Sequence, residues 1–389
     1  MIDFRLDENQ KKVIAAVKDE NIAGQKYARY YDENEEELSP PLLPEAEQFE
    51  DMSQKSLHYQ MKEGDGTLTM LLRLEKNRHD GSVALRQPVQ ALGNAALVAS
   101  GTPEQLEKWG SKLLAMAMTE PGCGSDTKAI TTTAVRDGDE WIVNGEKIFV
   151  TTGARCDGVV IWATIDKAAG RGGIKSFIVM KGTPGFEVAK KEKKLGIRAS
   201  DTVSMVFNNC RIPRDHLLGG NEDIPKKGAG GFRGAMKTFN MTRPGVAAGG
   251  VGFAQGCFDF VEEELGKAGV KVDYSAGVHS RTAIQDKMIA AEADIEASTL
   301  SILRAAWLAD EKLNNNVEAS VAKSKGGEIS RTIPQACMEM LGSLSISRQY
   351  LVEKWFRDAR ITDIYEGTGE INRLIIAREI LGYSSRDLM

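Results

Sequence analysis

The sequence predicts an α+β protein with an N-terminal helical domain, a central antiparallel β domain and a C-terminal helical bundle. Two changes in the period of apolar residues carry this prediction. Helical signals extend over residues 1–114, short runs with a period of two follow over residues 115–228, and the helical period returns over residues 229–389. A chain of 389 residues is long enough for two or three domains.

The N-terminal part mixes strong helix formers with apolar residues three or four positions apart. Residues 6–38 predict a first helix, which the prolines within residues 39–41 end. A second helix is predicted from about Pro44 to Met61. Thr102 followed by Pro103 is typical of a helix N-cap with proline in the first turn, so we expect another helix toward Trp109.

The central part contains seven short runs rich in β-branched or aromatic residues: TTTAVRD, EWIVNG, KIFVTT, DGVVIWATID, IKSFIVMKG, GFEVAK and TVSMVFNN. The dipeptide Asn144-Gly145 lies between the second and third runs and predicts a type I′ hairpin turn. Strands at this close spacing favour a sandwich or barrel. A Rossmann fold has no support, since no GxGxxG motif follows a predicted strand.

The C-terminal part includes a long amphipathic segment over residues 284–313 that holds no proline or glycine. Such a segment forms a bundle helix of roughly 45 Å at 1.5 Å per residue.

Composition and charge exclude several classes of protein. Apolar residues make up 42% of the chain and charged residues 27%, which is typical of a globular protein. The net charge of −5 and the lack of a long basic run argue against nucleic-acid binding. No stretch approaches the roughly 20 apolar residues that cross a bilayer, so we expect no membrane span.

Cysteine and histidine usage indicates the compartment and argues against a metal site. The five cysteines are scattered and include no CxxC pair, so we expect reduced thiols. The four histidines show no metal-ligand spacing. The first residues are charged and lack the apolar segment of a signal peptide, and together these features predict a cytoplasmic protein.

Five short motifs occur in a fixed order. They are MTEPGCGSD at 118–126, FVT at 149–151, GIRASDT at 196–202, TRP at 242–244 and IYEGTGEI at 364–371. Together they resemble the acyl-CoA dehydrogenase family, in that order and at the family's spacings, over about residues 101–382. The resemblance implies an N-terminal helical domain, a central β domain and a C-terminal four-helix bundle, with FAD between the last two.

The resemblance also implies a reaction and partners. The α-proton and β-hydride of an acyl-CoA thioester are removed, giving the 2-enoyl-CoA, or the reverse reduction takes place. Electrons pass from the flavin to an electron-transfer flavoprotein, and the subunits form a homotetramer. Sequence alone does not choose the direction of the reaction.

Glu366 matches the family's catalytic base. The α-CH of a thioester is a very weak acid, so its abstraction needs a carboxylate whose pKa is raised by a dry pocket. By resemblance, the backbone N–H of Glu366 also binds the thioester oxygen. The alternative interpretation is a surface glutamate near a helix N-terminus, where negative charge is mildly stabilising. Some family members place the base at the position of Thr242, but threonine cannot act as that base.

The resemblance assigns further contacts residue by residue. The flavin ring and pyrophosphate are expected against the β domain at Met116, Met118, Thr119, Ser125, Phe149 and Thr151. The rest of the cofactor is expected at Lys271, Tyr274, Glu339, Gly342, Ser343, Thr368 and Glu370. Substrate contacts are expected at Ser125, Asn240, Thr242, Arg243 and Gly367.

The chain departs from the family pattern at several of these positions. Phe149 stands in place of the usual tryptophan, and Lys271 in place of an arginine that offers a planar fork to phosphate. Glu339 replaces an amide, and Ser343 replaces a glycine. The changes at Lys271, Glu339 and Ser343 keep open a non-catalytic subunit that assembles with an active paralogue. A second alternative is a relative that acts on another carbon acid or eliminates a group, although the IYEGT motif argues against it.

The substrate is not assigned. The family's apolar segment and Tyr-Gly-Gly loop, which shape one wall of the acyl pocket, are not found between Asp32 and Arg78. Acyl chain length, branching and ring character therefore stay open.

Overall fold

A computed structural model describes residues 4–35, 65–86, 91–224 and 232–383. The predicted helix from Pro44 to Met61 and the break at residues 39–41 lie outside the described residues. The N-terminal helices are α1 (Glu8–Gln25), α2 (Ala28–Glu33), α3 (Gly66–Arg86), α4 (Leu92–Ser100) and α5 (Pro103–Trp109).

The predicted first helix is divided in two, because α1 ends at Gln25 and α2 begins at Ala28. Its start is defined by Asp7, whose side chain accepts a hydrogen bond from the N–H of Gln10 at 2.7 Å. Thr102 caps α5 with Pro103 in the first turn, as the sequence predicts.

The central part is one seven-stranded sheet. Its strands are β1 (Leu114–Ala117), β2 (Thr133–Asp137), β3 (Glu140–Thr151), β4 (Gly158–Thr164), β5 (Ile174–Met180), β6 (Phe186–Lys191) and β7 (Thr202–Pro213). The strand order is β1-β4-β2-β3-β7-β6, with β5 paired to β4. Most pairs are antiparallel, but β4 runs parallel to β1 and meets β2 in parallel at one end. The long connection through β2 and β3 allows the chain to return beside β1 in the same direction.

The predicted hairpin at Asn144-Gly145 is wrong, because β3 runs through this dipeptide without turning. The Asn144 side chain accepts a hydrogen bond from the N–H of Asn209 at 2.7 Å, and the pairing of β3 with β7 is irregular at this point. A Cβ on Gly145 would lie 2.7 Å from Cα of Thr132, so the close approach of backbone requires glycine. The tight turn lies instead between Asp137 and its cross-strand partner Glu140.

The C-terminal part is a bundle of α6 (Phe232–Lys267), α7 (Ala283–Asp310), α8 (Asn316–Leu341), α9 (Val352–Ala359) and α10 (Gly369–Leu381). The helix predicted over residues 284–313 is α7. It buries one apolar stripe that includes Ile295, Ile302 and Leu303 in the largest core cluster. Helix α6 packs against α3 on one side and α8 on the other, so it links the N-terminal helices to the bundle.

The motif at residues 196–202 joins the sheet to the C-terminal helices. A Cβ on Gly196 would lie 2.3 Å from the carbonyl oxygen of Arg357, so glycine lets the loop press against α9. The N–H of Ile197 donates to Asp358 at 2.6 Å, and Asp358 is buried beside Lys354. This junction holds the sheet and the bundle in a defined position around the site described below.

All five cysteines are buried and free. Within the described ranges, no helix is long and apolar enough to cross a bilayer. The same residues include no group of three or more histidine, cysteine, aspartate or glutamate side chains placed to hold a metal ion.

Candidate active site

Glu366 lies in the loop that opens α10. The Thr368 side chain caps this helix by accepting a hydrogen bond from the N–H of Ile371 at 3.3 Å. The backbone angle φ is 55° at Glu366 and 94° at Gly367. A positive φ is uncommon for a residue with a side chain, and such conformations cluster at functional sites. The loop therefore presents Glu366 in a conformation that the surrounding structure must impose.

Thr242 on α6 orients the Glu366 carboxylate. Its hydroxyl donates to Oε2 of Glu366 at 2.5 Å. The carbonyl oxygen of Thr238 lies 3.2 Å from the same hydroxyl, so the single hydroxyl proton has two possible acceptors. The charged carboxylate and the shorter distance favour the bond to Glu366.

Two buried cations face this carboxylate. Arg243 follows Thr242 on α6 and is only 2% exposed, and its Nη1 donates to the Asn240 side chain at 3.1 Å. Burial lowers the pKa of Arg243 to about 10, although Glu366 opposes that shift. Lys323 on α8 is fully buried and donates to the carbonyl oxygens of Thr362 at 2.7 Å and Gly367 at 3.2 Å. Burial lowers its pKa to about 8, which Glu366 again opposes.

A third cation approaches from the N-terminal helices. Arg73 on α3 lies against α6, where a Cβ on Gly245 would be 2.8 Å from its Nη1. Burial lowers the pKa of Arg73, and Glu366 and Tyr365 oppose this shift. Its side chain is nevertheless accessible to solvent.

The pKa of Glu366 is raised above its ordinary value. Burial is the largest cause and outweighs the hydrogen bond from Thr242 and the charges of Arg73, Lys323 and Arg243, all of which lower the pKa. The side chain of Glu366 keeps partial solvent access.

The sheet and the loop that follows β1 carry six of the residues predicted to contact FAD. Met116 lies in β1 and Met118 follows it, and the carbonyl oxygen of Thr119 accepts from the N–H of Ile148 at 2.9 Å. Phe149 has a φ of 57° at an irregular point in the pairing of β3 with β7, and its side chain is 60% exposed. A bulge of this kind turns a side chain out of the regular strand alternation.

A buried ion pair supports the TEPGCGSD loop. Nζ of Lys147 lies 2.8 Å from Oε1 of Glu120, and both side chains are buried. Glu120 also accepts hydrogen bonds from both N–H groups of Thr131 and Thr132 and from the Thr131 hydroxyl. Burial raises the pKa of Glu120, but Lys147 and these hydrogen bonds together lower it to about 2. Burial also lowers the pKa of Lys147.

Two further residues predicted to contact the cofactor lie nearby. Ser125 lies in the exposed loop, and Thr151 is the last residue of β3. Cys123 is buried, and burial raises the pKa of its thiol, in agreement with a packing role rather than a nucleophile.

Three of the residues predicted within 271–274 and 339–343 contact the first three turns of α7. The carbonyl oxygen of Lys271 accepts from Gln285, and the Tyr274 hydroxyl donates to Glu292. Glu339 forms an ion pair with Lys287 at 2.6 Å, and this hydrogen bond lowers the pKa of Glu339. Gly342 has a φ of 56° and Ser343 is exposed. Among the described residues, no hydrogen bond joins this group to Glu366.

Glu370 lies in the first turn of α10 and is exposed, next to the cap residue Thr368.

Two members of the cluster around Glu366 were not predicted from the sequence. Lys323 lies in α8 within ASVAKSKGG, which resembles an ordinary helix surface, and Arg73 lies among the charges of α3. No local signal distinguishes either residue from a solvated cation. Only the packing of α3, α6 and α8 around the loop at Glu366 brings them together.

The chain matches proteins of known sequence over most of its length. A profile of the acyl-CoA dehydrogenase middle domain matches residues 115–210, and a profile of the C-terminal domain matches residues 229–381. The chain is 35% identical over 306 residues to the caffeyl-CoA reductase-Etf complex subunit CarC of Acetobacterium woodii, which covers 77% of this chain and 78% of the relative. The chain belongs to the acyl-CoA dehydrogenase family.

Other members extend this similarity to enzymes and to the fold. The mitochondrial short-chain specific acyl-CoA dehydrogenase of Bos taurus is 38% identical over 287 residues, covering 72% of this chain and 67% of that protein. The solved structure of butyryl-CoA dehydrogenase from Megasphaera elsdenii superposes with a TM-score of 0.82 at 28% identity, covering 98% of this chain and 100% of the other. These similarities confirm the family, the mixed α+β fold and an oxidoreductase that dehydrogenates acyl-CoA.

Proposed function

We propose that this acyl-CoA dehydrogenase converts an acyl-CoA thioester to the 2-enoyl-CoA, or performs the reverse reduction, with Glu366 as base in one direction and proton donor in the other. The observation that supports this proposal is the Glu366 carboxylate, which is oriented by Thr242, has a raised pKa and keeps partial access to solvent. A carboxylate with a raised pKa takes a proton from a weak carbon acid more readily than an ordinary glutamate.

The backbone of the same residue supports a second role. Among the described residues, the N–H of Glu366 makes no hydrogen bond, so it is free to donate to the thioester oxygen. A donor at that oxygen stabilises the negative charge that develops as the α-proton leaves. Arg243 and Lys323 add positive potential at the same place. Substrate contacts are proposed at Ser125, Asn240, Thr242, Arg243 and Gly367.

FAD, when bound, supplies the acceptor for the β-hydride. The residues of the sheet fit an aromatic, phosphate-bearing group. Phe149 offers an exposed ring, and a Cβ on Gly122 or Gly124 would meet no atom of the described protein within 4 Å. No packing within the described chain therefore requires these glycines, as expected where backbone approaches a ligand. On this side, FAD contacts are proposed at Met116, Met118, Thr119, Ser125, Phe149 and Thr151.

The far side of the cofactor is proposed to contact Lys271, Tyr274, Glu339, Gly342, Ser343, Thr368 and Glu370. The pairing of Glu339 with Lys287 matters here, because a neutralised carboxylate repels a phosphate less than a free one. This ion pair argues against a non-catalytic subunit that has lost its cofactor.

An electron-transfer flavoprotein is the proposed redox partner. The similarity to a subunit of a caffeyl-CoA reductase-Etf complex supports this proposal. A homotetramer is proposed from the family, and a cytoplasmic location from the five free thiols.

The test is an anaerobic titration of the purified holoprotein with saturated acyl-CoA thioesters of different chain length, followed through the flavin absorbance. Glu366→Gln keeps the size of the side chain but removes the base. Glu311→Gln, at the exposed C-terminal end of α7, is the matched control. We expect flavin bleaching in the wild type and the control, and a rate lower by roughly 10²- to 10⁴-fold in Glu366→Gln.

The outcomes separate the alternatives. Bound flavin that no thioester bleaches would contradict the proposal and indicate another carbon acid. A protein that stays colourless with added FAD would indicate a non-catalytic subunit. Bleaching that is equally fast in Glu366→Gln would remove Glu366 from the base role.

A further inference from the structure

Lys323 on α8 bonds the backbone on both sides of Glu366. Its Nζ donates to the carbonyl oxygen of Thr362 at 2.7 Å and to that of Gly367 at 3.2 Å. Thr362 precedes Glu366 in the chain, and Gly367 follows it directly. One ammonium group therefore bridges the loop that carries Glu366.

The Thr362 end of this bridge is fixed to α8. Thr362 is buried, and its hydroxyl hydrogen-bonds with that of Ser330 on α8. A Cβ on Gly327 would lie 2.8 Å from Oδ1 of Asp363, so glycine lets α8 approach the chain next to Thr362. The bridge from Lys323 thus ties the other end of the loop to a point that α8 already holds.

The loop needs a hold of this kind. The angle φ is 55° at Glu366 and 94° at Gly367, and a positive φ at a residue with a side chain persists only where the surrounding structure imposes it. Nδ2 of Asn372 also donates to the carbonyl oxygen of Gly367, at 2.9 Å, but Asn372 belongs to α10, the helix that the loop itself opens. Lys323 reaches the loop from a separate helix and contacts it on both sides of the strained residues.

Lys323 differs from two other fully buried lysines of the protein. Lys147 lies 2.8 Å from Glu120 and Lys354 lies 2.8 Å from Asp80, so each forms a direct ion pair with a carboxylate. Among the described residues, Lys323 has no such ion pair, and its hydrogen bonds go to backbone carbonyl oxygens. Removal of an ammonium from water is costly, and packing alone would need only an apolar side chain. The bridge therefore gives this ammonium a function that packing does not explain.

The charge of Lys323 has a second, separate effect. Burial lowers the pKa of Lys323 to about 8, while Glu366, Asp363 and Glu370 oppose this shift and Arg243 adds to it. Lys323 is in turn one of the cations that lower the pKa of Glu366. Its bonds act on the position of the loop and its charge acts on the carboxylate, so an experiment can distinguish the two.

We propose that Lys323 is a positioning residue, whose bridge between Thr362 and Gly367 holds Glu366 so that its carboxylate meets the α-carbon while its N–H meets the thioester oxygen. Both groups belong to one residue, so a rotation of the loop misplaces the base and the oxyanion donor together. A displacement of about 1 Å can lower a rate by roughly 10²-fold. This inference rests on the proposed function of Glu366.

The experiment compares two variants of the holoenzyme. Lys323→Met removes both the donors and the charge, whereas Lys323→Gln returns a neutral donor on a side chain that is one atom shorter. The values of kcat and KM are measured per bound flavin across a range of pH, with butyryl-CoA and octanoyl-CoA as substrates and an artificial electron acceptor.

We expect kcat of Lys323→Met to fall by roughly 10²-fold on the plateau above the acidic limb of the profile, with KM close to that of the wild type, because the bridge acts on the reacting groups. Lys323→Gln should recover part of this loss. Both variants lack the charge that lowers the pKa of Glu366, so the acidic limb should move to higher pH in both.

Lys325→Met is the matched control on the same helix. Lys325 pairs with Asp294 at 2.9 Å, and its side chain is 35% exposed. This variant should leave both the plateau and the acidic limb in place. Flavin content and the melting temperature show whether each variant folds, and Lys323→Gln keeps the comparison available if Lys323→Met does not.

Three results would overturn the inference. A plateau kcat equal to that of the wild type in both variants, with only the acidic limb displaced, would reduce Lys323 to a charge that tunes Glu366. A loss of flavin content or melting temperature with kcat per bound flavin unchanged would make its role purely structural. Failure of both thioesters to reduce the wild-type flavin would contradict the proposed function and this inference with it.

Discussion

The hydrogen bond from Thr242 to Glu366 predicts a defined change in pH dependence. Thr242→Val removes the hydroxyl and keeps the shape of the side chain, so the carboxylate loses a donor at 2.5 Å. A hydrogen bond to a charged group contributes about 1.5–3 kcal/mol, and one pKa unit corresponds to about 1.4 kcal/mol. Because this donor lowers the pKa of Glu366, its loss should raise that pKa by about one to two units.

The assay is the pH profile of kcat/KM in the direction of dehydrogenation, which reports the pKa of the free enzyme. Only ionised Glu366 can accept the α-proton, so the acidic limb of the profile should move to higher pH in Thr242→Val. At pH values well above the new limb, the rate should recover most of its wild-type value. A simple packing defect would instead lower the rate at all pH values.

The matched control is Thr299→Val on α7, where the threonine hydroxyl donates to the carbonyl oxygen of Ile295 at 2.9 Å, away from the site. This variant should leave the acidic limb in place. An acidic limb that is the same in Thr242→Val and Thr299→Val would refute the reasoning that Thr242 sets the pKa of Glu366.

Three further predictions concern stability. Because the folded-state pKa of Glu366 is raised, its contribution to stability is present below the unfolded pKa and is lost as pH rises through the folded value. The free energy of unfolding of Glu366→Gln, measured by urea titration, should therefore increase relative to that of the wild type as pH rises from the unfolded pKa to the folded one. Lys147→Met leaves the buried Glu120 without its cation and should cost about 3–5 kcal/mol in urea unfolding, and a loss below about 1 kcal/mol would contradict a buried ion pair. Gly367→Ala forces a side chain into a φ of 94° and should cost roughly 1–2 kcal/mol while slowing flavin reduction, and an unchanged melting temperature would argue that the loop relaxes freely.

Structures that depend only on neighbouring residues could be predicted from the sequence. The cap at Thr102 and the helix α7 follow from neighbouring residues alone, and both occur as predicted. The hairpin at Asn144-Gly145 failed because the pairing of β3 with β7 and the contact of Gly145 with Thr132 are long-range. β1 was missed because it is only four residues long and has no β-branched residue.

The candidate site also combines features set by neighbouring residues with features set by long-range packing. The motif around Glu366 carries its loop and helix cap in consecutive residues, so the sequence by itself determined the family and pointed to this glutamate. It did not determine which charges surround the carboxylate, because Thr242, Arg243, Lys323 and Arg73 come from three helices that are far apart along the chain. Electrostatic interactions depend on distance and burial, and both are set only when α3, α6 and α8 pack together. The tertiary structure alone therefore decided the raised pKa of Glu366 and the placement of Arg73, Arg243 and Lys323 around it.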